Sequence, residues 1–146
     1  DHFIGTTKSG NFCSIKFCSS RVVKSLAKFG IIEKKSLVFQ PNEYCARHAD
    51  FWRGMIDGDG CIQYRGRSIC VSLVSGSLAC IAMFEKWVKS KCNTKANILT
   101  IKGKKLYSFS ISGSFAIEIL NLLYDPSHKY SLDRKYEKSK PFIYAV

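Results

Sequence analysis

Asp57 and Asp59, separated by Gly58 and followed by Gly60, close an apolar helical run that begins at Phe51. Phe51, Trp52, Met55 and Ile56 recur at helical spacing and predict a helix ending at this acidic pair. Gly54 and Gly58 lie four apart, so both fall on one helix face and bare it. A glycine inside a helix costs about 1 kcal/mol relative to alanine, so two on one face imply a close-packed second backbone. Asp59 stands where the helix stops, with Gly60 as the stop signal. A carboxylate there can hold a hard divalent cation, which takes oxygen ligands. Asp57, two residues earlier, points elsewhere and reads as a structural or capping acid.

Charge agrees with an anionic partner. The 146 residues carry 23 Lys and Arg against 11 Asp and Glu, a formal charge of +12. Such an excess speaks for binding to nucleic acid. Aromatic residues make up 13% of the chain, too many for a disordered basic tail. An anionic membrane surface is the weaker alternative, because no basic amphipathic helix has an apolar face free to insert. No apolar run approaches the roughly 18 residues that crossing a bilayer requires. The seven cysteines (Cys13, Cys18, Cys45, Cys61, Cys70, Cys80 and Cys92) show no C-x-x-C spacing. Most read as small core residues of an intracellular, reducing compartment, not as a zinc site. No signal peptide is visible. The first residue is Asp1, so the expectation is that upstream sequence has been lost or processed.

A strand-to-helix unit recurs. Ile15, Phe17, Val23 and Leu26 match Phe109, Ile111, Ile117 and Leu120 at one constant offset, and a third copy runs from Ile69 through Ser75-Gly76-Ser77 to Val88. Coarsely, strands are expected near His2–Gly5 and over Phe12–Cys18, then a helix at Ser20–Phe29 capped by Ser19 or Ser20. Glu33–Pro41 reads as a linker with extended character. A helix at Glu43–Gly58 is followed by strands at Cys61–Arg65 and Ile69–Val74 and a helix at Leu78–Lys91. A hairpin of Ala96–Lys102 and Leu106–Ser112 then precedes a helix at Phe115–Tyr124. The tail from Asp125 reads as polar and basic, with Pro126 as a breaker.

Trp52 to Gly60 resembles the motif of the LAGLIDADG homing endonucleases, in an R-G-x-I-D-G-D-G form with Trp52-Arg53 where Leu-Ala is usual. The resemblance implies an α+β fold: an αββαββα repeat with a saddle-shaped antiparallel sheet in residues 43–146, preceded by the back half of a first repeat and a linker in residues 1–42. It implies that motif helices pack in pairs through their small residues. The second helix would come from upstream sequence, a separate chain or a symmetric copy. It implies a site-specific endonuclease that hydrolyses double-stranded DNA with Mg2+ or another divalent cation such as Mn2+, held at Asp59 together with Gly58. A lysine after the last helix of each repeat would serve the phosphate, which makes Lys135 and Lys35 candidates. Ser75 takes the position of a water-ordering polar residue, where a longer amide is common.

Metal ions bridging a scissile phosphate activate the attacking water and stabilise the leaving oxygen. A nearby cation stabilises charge developing on the phosphate. Strand alternation selects the surface that would meet DNA. Counting by twos from Asp59 gives Cys61, Gln63, Arg65 and Arg67, with Ile62 and Tyr64 turned toward the helices. Ser72, then Thr100 and Lys102, then Ser108 and Ser110 are expected on the same polar side, with Ser14 and Lys16 in the first repeat. A two-stranded ribbon fits the major groove, where Arg reads guanine and Gln reads adenine. A second reading is a binding module of the same fold that has lost cleavage and binds RNA as a splicing or ribosome-associated factor. A third is a DNA-binding regulator.

Overall fold

The computed structural model describes residues 3–6, 13–16, 18–33 and 35–143, with side chains described from Cys18 onward. The fold is α+β, and its centre is a four-stranded antiparallel sheet. Its strands are β3 (Gly60–Arg65), β4 (Ser68–Ser75), β5 (Leu99–Thr100) and β6 (Tyr107–Ser112), in the spatial order β3-β4-β6-β5. A separate two-stranded ribbon pairs β1 (Phe3–Thr6) with β2 (Cys13–Lys16).

Six α-helices accompany these strands among the described residues: α1 (Ser20–Ala27), α2 (Glu43–Ala46), α3 (Ala49–Asp59), α4 (Leu78–Lys89), α5 (Ser114–Leu123) and α6 (Asp133–Ser139). None is long and apolar enough to cross a membrane. Ser19 accepts the Val22 amide and starts α1, and Ser77 accepts the Cys80 amide and starts α4. Gly113 starts α5 at φ +65°, a conformation costly for any residue with a Cβ. No residue of α1 is buried, although Val22, Val23 and Leu26 give it an apolar side.

The single helix expected over 43–58 is broken at Arg47-His48 into α2 and α3. Trp52 explains the break: its indole N–H donates to Ala46 O at 2.8 Å, satisfying the end of α2 while α3 sets off anew. Glu33–Pro41 holds a short 3-10 turn at Lys35–Leu37. Its neighbours dock on the later unit, since Ser77 Oγ donates to Phe39 O at 2.5 Å and Phe39 is buried. A Cβ on Gly76 would lie 2.6 Å from Ser36 O, so this docking requires glycine there. The tail read as polar and basic contains a helix, α6, which packs on β3.

Direct cross-strand partners share a sheet face. One face carries Ile62, Ile69, Val71, Leu73, Phe109 and Ile111, all buried. Trp52 and Ile56 of α3, Ile81, Phe84 and Val88 of α4, and Ala116, Ile119 and Leu120 of α5 pack with them into one core. The helices therefore cover one side of the sheet. The other side is left to Cys61, Gln63, Arg65, Ser68, Cys70, Ser72, Val74, Ser108, Ser110 and Ser112.

Candidate nucleic-acid interface and metal-binding helix end

The polar face is built as the alternation of β3 predicts. Cys61, Ser72 and Ser110 stand directly opposite one another in a row of small side chains. Gln63 and Arg65 continue that face toward the β3–β4 turn. With its amide oxygen toward Arg65, Gln63 accepts from Nε at 3.2 Å and from Nη2 at 3.0 Å, which holds the guanidinium along the strand. Arg65 is exposed, Gln63, Ser108 and Ser110 are half-buried, and Ser72 is buried.

Three expected members sit differently. Arg67 is exposed but lies in the two-residue Gly66-Arg67 turn, where Gly66 has φ +62°. Strand alternation therefore stops before it. Thr100 is on the wrong face: β5 sets Leu99 opposite Ser108 and Thr100 opposite Tyr107. Leu99 takes the polar side, and Thr100 shares the side of Tyr107 and Ser75. The expected strand from Ala96 is reduced to two residues, so the count through 96–98 loses its phase, and a slip of one residue flips the face. Lys102 lies beyond β5 in the turn and is exposed. Ser14 and Lys16 fall in β2, opposite Gly5 and Phe3, and their side chains lie outside the described residues.

Asp59 ends α3 and is exposed. Its carboxylate makes no hydrogen bond or ion pair among the described residues. The chain turns into β3 at Gly60, where a Cβ would lie 2.7 Å from Ile56 Cα. Only glycine permits that approach. Gly58 sits in the last turn of α3, where main-chain carbonyls have no partner within the helix. An unpaired carboxylate beside helix-end carbonyls suits a hard cation that keeps several waters. Among the described residues no three His, Cys, Asp or Glu side chains converge here.

Asp57 has a different environment. Its Oδ1 accepts from Tyr124 Oη at 2.7 Å and its Oδ2 accepts from Leu132 N at 2.9 Å. It ties α3 to the end of α5 and to the start of α6. Burial, then the bond to Asp57 and its charge, pushes the Tyr124 hydroxyl above the usual tyrosine range. Asp57→Ala leaves the buried Tyr124 hydroxyl without this acceptor and costs about 1–3 kcal/mol in urea unfolding. An unchanged unfolding midpoint would contradict the structural role.

Lys135 is 3% exposed, and its Nζ donates to Ile56 O and, at 2.6 Å, to Gly60 O. Burial first, then the charge of Arg134, lowers its pKa, while Asp57, Cys61 and Asp59 act the other way. Ser75 accepts the Ser77 amide at 3.1 Å and is hydrogen-bonded to the Cys80 thiol. Burial pushes that thiol up to about 11; among the lesser influences, the Asp59 charge also raises it, whereas the Ser75 bond and the Lys35 charge lower it. Lys35 is exposed, with its ammonium 5.1 Å from the Phe39 ring centre.

Arg53 and Cys80 carried no assigned role in the sequence. Arg53 is buried and donates to Leu123 O and Tyr130 O, each at 2.8 Å, and pairs with Asp50 at 2.5 Å. An arginine where the resembled motif usually has a small residue was the available signal. Cys80 read as a core residue, and nothing in its spacing marked it as lying beneath Ser75. The chain matches no family model and no curated protein.

Proposed function

We propose that this chain is a LAGLIDADG-type DNA endonuclease, site-specific and dependent on a divalent cation. The observation that carries the reading is the pairing of an exposed, unpartnered Asp59 with an open glycine face on the same helix. A Cβ added at Gly54 or Gly58 would meet nothing within 4 Å. Gly54, inside the helix, costs about 1 kcal/mol relative to alanine, and alanine would fit there. A second motif helix packed there would use the bare face and bring a second carboxylate beside Asp59. It would come from upstream sequence, a separate chain or a second copy. The αββαββα order of residues 49–123 supports the same reading, with α2 before it and α6 after it.

In this reading Asp59 and the Gly58 carbonyl hold Mg2+ or Mn2+. When bound, the metal supplies an activated water and stabilises the leaving oxygen. Lys35, exposed in the 3-10 turn, neutralises the phosphate. Ser75 orders solvent only through a hydroxyl already bonded to Ser77 and Cys80. Gln63 and Arg65 read bases or phosphates from the polar face, and Arg67 extends that reach from the turn. A second reading is a module that binds RNA or DNA without cutting it; among the described residues no three His, Cys, Asp or Glu side chains converge on Asp59.

The test of the face is an Arg65→Ala, Arg67→Ala double variant. Removing one phosphate interaction reduces the slope of log K against log salt by about 0.9, and removing a base interaction costs about 1–3 kcal/mol at its own position. Measured by fluorescence anisotropy across a salt series, duplex DNA should bind more weakly and with a flatter slope. Equal affinity and equal slope would rule out this face.

A further inference from the structure

α6 is fastened both to the acidic end of α3 and to β3. Leu132 N donates to Asp57 Oδ2, Tyr64 Oη donates to Lys138 O at 3.0 Å, and Lys135 Nζ donates to Ile56 O and Gly60 O. The two carbonyls that Lys135 holds bracket Asp59. Ile56 opens the last turn of α3, and Gly60 follows Asp59 directly. Ile56 O also accepts the Gly60 amide that ends the helix. The last four carbonyls of a helix lack internal partners, and a cation there is favoured by the helix dipole. Lys135 supplies both the donors and the charge.

The same bonds limit what else Lys135 can do. An ammonium has three N–H donors, and two are committed here. At 3% exposure the side chain is shielded from a ligand on the sheet face. A phosphate could recruit it only by breaking a bond that fixes the helix end. We propose that Lys135 is a positioning residue. It sets the last turn of α3, and through it the aim of the Asp59 carboxylate, and does not itself meet the phosphate. This rests on the reading of Asp59 as a metal ligand.

Lys135→Met separates the two roles by sign. Coulomb's law alone says that removing a positive charge beside Asp59 tightens Mg2+ binding. Loss of aim weakens it, by about 10-fold or more for a residue that orients a ligand. Nicking of supercoiled DNA across a Mg2+ series should therefore show a higher half-saturating concentration, with the rate largely restored at saturating Mg2+. Lys135→Gln retains N–H donors without charge and should fall between wild type and Lys135→Met; it carries the same comparison where Lys135→Met does not fold. An unchanged or lower half-saturating concentration with a lost plateau rate would overturn the proposal and restore a direct phosphate role. Amide hydrogen exchange at Gly60 and Cys61, run on the same proteins, should accelerate in Lys135→Met. If wild-type protein does not nick DNA, the reading of Asp59 fails, and exchange alone decides the clasp: unchanged rates overturn it.

Discussion

Asp59→Asn should lower Mg2+-dependent nicking by about 10^3-fold, because losing a charged metal ligand forfeits roughly 4 kcal/mol of transition-state stabilisation. DNA binding measured in Ca2+ should change little. The proposed DNA-facing residues lie on β3, β4 and β6 and in the β3–β4 turn, and Asp59 belongs to the helix end. Folding stability should stay within about 0.5 kcal/mol of wild type, since the carboxylate is exposed and has no bonded partner among the described residues. This separation is the useful feature of the variant. A drop in cleavage with binding and unfolding unchanged points to metal chemistry. Equal nicking by the variant removes Asp59 from the site.

Trp52→Ala should be the most damaging change to the fold, at about 3–5 kcal/mol in denaturant unfolding. Trp52 is fully buried, with ring centres 5.1 Å from Phe84 and 6.2 Å from Trp87. Its removal opens a cavity in the middle of the core and leaves Ala46 O without the indole donor. The loss should also reach the site, because α3 is oriented by that bond at its start and carries Asp59 at its end. Trp52→Phe keeps most of the volume and loses the hydrogen bond, so it should cost less. A cost under about 1 kcal/mol for Trp52→Ala would contradict the packing described.

Local signals were legible where one chemical constraint acts on a few neighbours. Ser19 and Ser77 cap helices because their hydroxyls meet free amides, and β3 alternates because one face is buried. The polar set Cys61, Gln63, Arg65, Ser72, Ser108 and Ser110 came out on one face for the same reason. What the sequence hid was set by distant contacts. The split of α2 from α3 depends on Trp52 reaching back to Ala46. α6 looked like a polar tail, with Lys135 and Ser139 its only buried residues. Its place is fixed by Asp57, Tyr64 and the end of α3, all some 75 residues away in sequence. Thr100 was misplaced because the third strand is too short to keep its phase. The buried state of Lys135 follows from α6 and was invisible without it.

The central claim is metal-dependent cleavage of duplex DNA at a recognised sequence. Its most direct measurement is incubation of the purified chain with a random-sequence duplex pool in Mg2+, in Ca2+ and in EDTA, followed by sequencing of broken ends. Cleavage in Mg2+ alone, with ends converging on one sequence, is the expected result. A pool recovered intact in Mg2+, with the protein bound to it or to RNA, would contradict the endonuclease and leave the binding module in its place.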